Sequence, residues 1–126
     1  MKWNKTIAST CRYGEIAERI FGDADILWEH SESDYQGFAN VLAILPNGTL
    51  CHYEWSYGSC SGCDGWESAG LNHDEIEKEM RRDAIFITDI KIMVKYLKHV
   101  TKDYKTIEEA LLTTWRKHEN QNKDSI

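Results

Sequence analysis

The stretch FANVLAILPNGTLCHYEWSY, residues 38–57, decides the fold. Phe38 to Leu45 is an apolar run bounded by Gly37 and Pro46, the composition of a buried strand. Asn47-Gly48 then supplies residues that tolerate the positive φ angles of a tight hairpin turn. From Thr49 to Tyr57 the pattern alternates. Successive strand side chains point to opposite sides, so Cys51, Tyr53, Trp55 and Tyr57 share one face and Leu50, His52, Glu54 and Ser56 the other. Upstream, Ile26 and Trp28 alternate with acidic residues over Asp25 to His30, which reads as a strand with one wet face. Together these segments predict a three-stranded antiparallel meander over about residues 25–57.

Helical spacing appears on both sides of this meander. Ile16, Ala17, Ile20 and Phe21 form an apolar stripe within residues 12–21, with Glu15 and Arg19 paired at i, i+4 and Gly22 as a stop. Asn72 followed by Glu75 is a capping box for a helix to about Arg82, and Ala84 to Ile87 is short and apolar enough for a further strand. Thr88 or Asp89 caps a helix with Ile90, Met93, Val94, Leu97 and Val100 inward and Lys91, Lys95, Lys98 and Lys102 outward. The lysine stripe reads as a solvated helix face rather than an anion-binding surface, since no aromatics interleave it. Thr106 with Glu109 opens a last helix carrying Ala110, Leu111, Thr114 and Trp115. The fold class is therefore α+β, an antiparallel β-meander in the N-terminal half packed with C-terminal α-helices. Residues 1–116 form one domain, and 117–126 a flexible polar tail.

The chain has 126 residues and a net charge of −6, enough to bury a core without metal or disulfide help. No run approaches the ~18 apolar residues that cross a bilayer, and the N-terminus lacks a signal-peptide segment. With only four Cys, the expected setting is the cytoplasm, with thiols free or metal-bound. The charge is unevenly distributed. Ile20 to Glu77 contains no Lys or Arg but includes Asp23, Asp25, Glu29, Glu32, Asp34, Glu54, Asp64 and Glu67. Such a field repels nucleic acid and attracts basic protein surfaces, so no direct nucleic-acid or membrane binding is expected.

The segment Tyr57-Gly58-Ser59-Cys60-Ser61-Gly62-Cys63-Asp64 contains a C-x-x-C pair. Cys60 and Cys63 could supply two zinc thiolates, but a structural site needs four ligands and no second pair exists. Cys11 and Cys51 are isolated, leaving His52, His73 or Asp64 to complete a set in space. Redox chemistry fits poorly, because acidic neighbours raise a thiol's pKa. Nucleophilic Cys–His pairing lacks cationic surroundings, and no carboxylate pair stands out among eleven acids between Ile20 and Glu77. Phosphate-cradling and metalloprotease motifs are absent from the sequence. The expectation is a protein that is not an enzyme and carries no cofactor, with zinc as the one alternative.

Asp34-Tyr35-Gln36-Gly37 before the hairpin and Tyr57-Gly58-Ser59-Cys60-Ser61-Gly62-Cys63-Asp64 after it resemble a family of small uncharacterised phage and prophage proteins, over about residues 34–64. The resemblance implies a phage accessory protein that acts by stoichiometric binding, including anti-CRISPR-like inhibition of a host defence protein. An acidic chain can occupy such a protein's basic nucleic-acid channel, with Glu29, Glu32, Asp34, Glu54 and Asp64 as contacts gathered on one exterior surface. The competing expectation is a small-ligand or zinc site built from Asp34, Tyr35, Gln36, Tyr57, Ser59 and Ser61, with Cys60 and Cys63 for metal. Residues 37 and 57 sit at the same end of paired strands, so the two motif segments are expected to meet. A homodimer is compatible with either reading.

Overall fold

The computed structural model describes residues 1–32, 37–58, 65–100 and 105–113. The central hairpin is β2 (Gly37–Ile44) and β3 (Leu50–Tyr57), antiparallel and in register from Gly37 opposite Tyr57 to Ile44 opposite Leu50. The turn differs from the expected two-residue form. The Gly48 N–H donates to the Leu45 carbonyl at 2.9 Å, and the Leu45 N–H donates to the Thr49 carbonyl at 2.8 Å. Only Gly48 takes a positive φ, 88°, while Asn47 keeps ordinary backbone geometry and its Oδ1 accepts from the Thr49 N–H at 3.0 Å. Pro46-Asn47-Gly48 is thus a three-residue loop in which Pro46 presets the first corner and glycine takes the left-handed position.

β1 (Asp25–Ser31) pairs with β2, and β4 (Ile85–Ile87) pairs with residues 50–52 of β3. The sheet is therefore four-stranded and antiparallel in the order β1-β2-β3-β4, one strand more than the meander expected from sequence. A register shift between Ile26 and Trp28 sends these two residues to opposite faces, which overturns the simple alternation read there.

Both faces are covered. On the first, Ala39, Val41, Ala43, Cys51, Tyr53, Trp55 and Tyr57 pack against α1 (Gly14–Phe21), Trp66 of the short α2 (Gly65–Ser68), α3 (His73–Asp83) and the N-terminal segment. Trp3 anchors this layer, stacking on Phe21 at 5.4 Å and tilting against Trp55 at 6.4 Å. On the second face, Leu42, Ile44 and Leu50 meet Met93 and Leu97 of α4 (Ile90–Val100) and Ile107 and Leu111 of a helix that includes 105–113. This two-sided cover explains why β2 reads as a continuous apolar run instead of an alternating one.

The helix ends follow local chemistry. Asn72 and Glu75 form the full capping box of α3, with bonds of 2.9 and 3.2 Å. Asp89 caps α4 through the N–H groups of Lys91 and Ile92, settling the choice between Thr88 and Asp89. Two expectations fail at helix ends. Val100 is exposed because the covered stripe of α4 ends at Leu97, and Thr106 lies inside the last helix instead of capping it. Among the described residues, no helix is long and apolar enough to cross a membrane.

Candidate functional site

Gly37 stands opposite Tyr57, so these two residues of the motif segments lie at the same end of the sheet, as expected. Asp34, Tyr35, Gln36, Ser59, Cys60, Ser61, Cys63 and Asp64 lie outside the described residues; their flanks, Glu32, Gly37, Tyr57 and Gly58, lie within them. The Tyr57 hydroxyl donates to the Glu32 carbonyl, which also accepts from Cys11 Sγ at 3.4 Å. A Cβ at position 37 would stand 2.6 Å from that carbonyl oxygen and 2.8 Å from the Tyr57 hydroxyl, which is why the motif needs glycine there.

The turn Cys11-Arg12-Tyr13 binds this end together, a role that nothing in its sequence signalled. The Arg12 carbonyl accepts from Trp55 Nε1 at 3.0 Å, and Arg12 Nη1 donates to the Gly58 carbonyl at 2.6 Å. The Arg12 guanidinium also pairs with Glu67 and lies 5.4 Å from the centre of the Tyr13 ring. Tyr13 has φ 69°, a left-handed conformation unusual for a side chain of its size, and its ring meets Trp66 edge-on at 4.9 Å. Beside this turn opens a cleft of about 470 Å³, lined by residues 9–16 and His73.

Glu29, Glu32 and Glu54, the described residues among the acids named from sequence, do not share a surface. Glu29 pairs across to Val41 on the first face, where its carboxylate accepts from the N–H groups of Ile7 and Ala8 at 2.8 and 2.9 Å and from the Ser31 hydroxyl at 3.0 Å. It serves as an N-terminal cap for the short turn Ala8–Thr10 and is held within the fold. Glu54 has the opposite parity and projects from the second face, within 3.4 Å of Asn40 Nδ2. Glu32 is exposed at the motif end. Elsewhere Arg19 pairs with Asp74 and approaches Glu77, and Arg81 pairs with Glu77. Basic residues from outside the acidic stretch thus fold back onto part of it.

Two residues considered for a metal set are committed elsewhere. Cys51 is fully buried in the first core, and burial pushes its thiol up to about 12. His52 is buried on the second face with Nε2 2.7 Å from Asn40 Oδ1 and Nδ1 3.0 Å from the Tyr96 hydroxyl. Asn40 Oδ1 can only accept, so the ring donates from Nε2 and accepts the Tyr96 proton at Nδ1. Burial lowers its pKa to about 4, keeping it neutral near pH 7. Among the described residues no three His, Cys, Asp or Glu side chains converge to hold a metal ion. Cys11 and His73 both line the cleft beside the Cys11-Arg12-Tyr13 turn.

No family model matches the chain, and no curated protein or solved structure is significantly similar to it.

Proposed function

We propose that the protein acts by stoichiometric binding through the motif end of its sheet, as a phage-type accessory protein that occupies a basic, nucleic-acid-binding surface on a host defence protein. The observation supporting this is the Gly37–Tyr57 pairing, which joins both motif segments to one end, next to the exposed Glu32. The contacts are Glu32 with Asp34 and Asp64; Glu29 drops out because its carboxylate is bonded internally. Glu54 contributes only to a partner that wraps onto the second face. A net charge of −6 speeds encounter with a cationic surface. The test is capture from host extract on the immobilised full chain, followed by affinity measurement with the purified partner. Binding should weaken at least about tenfold between low and high salt and on Glu32→Lys. Affinity indifferent to both would overturn the reading.

The cleft beside Cys11 and His73 favours a second reading, a small-ligand or zinc site at the same end that uses Cys60 and Cys63. Thiolate and imidazole donors suit zinc. Metal analysis of the purified protein decides it: stoichiometric zinc lost on Cys60→Ser supports the site, and metal-free protein rejects the zinc form.

A further inference from the structure

Three lysines of the α4 stripe, Lys91, Lys95 and Lys98, border a groove. Lys91, Lys95 and Lys98 lie on the same flank of the helix as the half-buried Ile90 and Val94. That flank turns toward the helix containing 105–113, and between them runs an open groove of about 330 Å³ that also includes Leu112. Tyr96, on the opposite flank, is held by His52. The groove therefore has an apolar floor and a basic rim, with Glu108 as the only acid lining it among the described residues. Lys91 and Lys95 are exposed and make no ion pair with described residues.

We propose that this groove receives an acidic amphipathic helix of a partner protein. Spaced by four and three residues, the lysines span about 10 Å along α4, or roughly two helical turns. A third helix laid between α4 and its neighbour would set one apolar stripe on Ile90, Val94 and Leu112 while its flanking carboxylates meet the lysine row. Charge complementarity selects an acidic occupant. The apolar floor selects an amphipathic one over a single-stranded nucleic acid, which would need aromatic stacking surfaces absent from the described residues that line the groove. The groove lies in the second layer, built from different residues than the motif end, so it stands or falls independently of the proposed function.

The test uses the full chain and a fluorescein-labelled peptide of about 18 residues, with leucines at i, i+3, i+4 and i+7 flanked by glutamates. Anisotropy should show saturable binding that weakens at least about tenfold in Lys91→Glu/Lys95→Glu. Both lysines are exposed, and unchanged circular dichroism would establish that the variant folds; Val94→Ser is a second variant that should weaken binding without altering charge. Absence of binding overturns the proposal, as does equal binding of a control with serines in place of leucines. Tighter binding of dodecanoate at the same lysines would reassign the groove to a lipid-like amphiphile. Dimerisation abolished by the double variant would reassign it to a second copy of the chain.

Discussion

Gly37 faces Tyr57 across the β2–β3 ladder, and the Tyr57 hydroxyl reaches past it to the backbone carbonyl of Glu32. One glycine thus lets the end of β1, the start of β2 and the end of β3 close on each other. Gly37→Ala puts a methyl against that carbonyl and hydroxyl, and overpacking of this kind costs about 2 kcal/mol. Tyr57→Phe, which removes the hydrogen bond to the Glu32 carbonyl, costs about 1 kcal/mol. In urea unfolding the double variant should lose less than the sum, because removing the hydroxyl relieves part of the clash.

His52 predicts a specific pH dependence. Its folded pKa is depressed from 6.5 to about 4 by burial, so the unfolded chain binds the proton more readily. The associated stability is fully present above about pH 6.5 and is lost as the pH falls toward 4. At about 1.4 kcal/mol per pH unit the loss approaches 3 kcal/mol. Carboxylates titrate in the lower part of this window, so the comparison is with His52→Gln, whose unfolding free energy should fall less steeply between pH 6.5 and 4. Equal slopes would show that burial does not hold the ring neutral.

Glu29 and Glu32, three residues apart, should separate cleanly. Glu29→Ala removes the acceptor for the Ile7 and Ala8 N–H groups and should cost about 1 kcal/mol in thermal or urea unfolding. Glu32→Lys alters an exposed side chain and should leave stability within about 0.5 kcal/mol while weakening partner binding.

Tyr13 offers a test of backbone strain. At φ 69° any residue with a Cβ is strained, whereas glycine is not. Tyr13→Ala loses the ring contact with Trp66 and keeps the strain; Tyr13→Gly loses the contact and releases it. Tyr13→Gly should therefore be the more stable of the two by about 1 kcal/mol, measured by denaturant midpoint at constant slope.

Cys51 should resist alkylation in the folded protein, since its thiol is buried and its pKa is pushed up to about 12. Peptide mapping after iodoacetamide treatment at pH 8 should show Cys51 unmodified until guanidinium is added. Native-state labelling at this position would mean that the sheet's first face opens readily.

The elements that could be read directly are those whose signal is local. The alternation of residues 49–57 gave β3 and its two faces, the Asn72–Glu75 spacing gave the start of α3, and the Ile16–Phe21 stripe gave α1. These patterns arise from backbone period and from bonds between near neighbours, so they survive without knowledge of the rest of the chain. The turn at Pro46-Asn47-Gly48 was located correctly but mistaken in type, because one positive φ and two positive φ angles draw on the same residues. The likeness of the two motif segments' positions followed from hairpin register alone.

The site residues depend on more. Glu29 looked like its neighbouring acids, and only the approach of Ile7 and Ala8 makes it a cap. Arg12 carried no signal, since its partners Gly58 and Glu67 lie far along the chain. The register shift near Leu27 moves Trp28 to the second face without any glycine or proline to announce it. By itself, the sequence determined the β2–β3 pairing, the capping box of α3 and the burial of Cys51, all consequences of local patterns within a few residues. Tertiary structure alone decided which carboxylates remain outward, how His52 joins Asn40 to Tyr96, and that the α4 lysines border an apolar groove. Those outcomes depend on which distant segments come into contact, and that is set by packing and register across the whole domain.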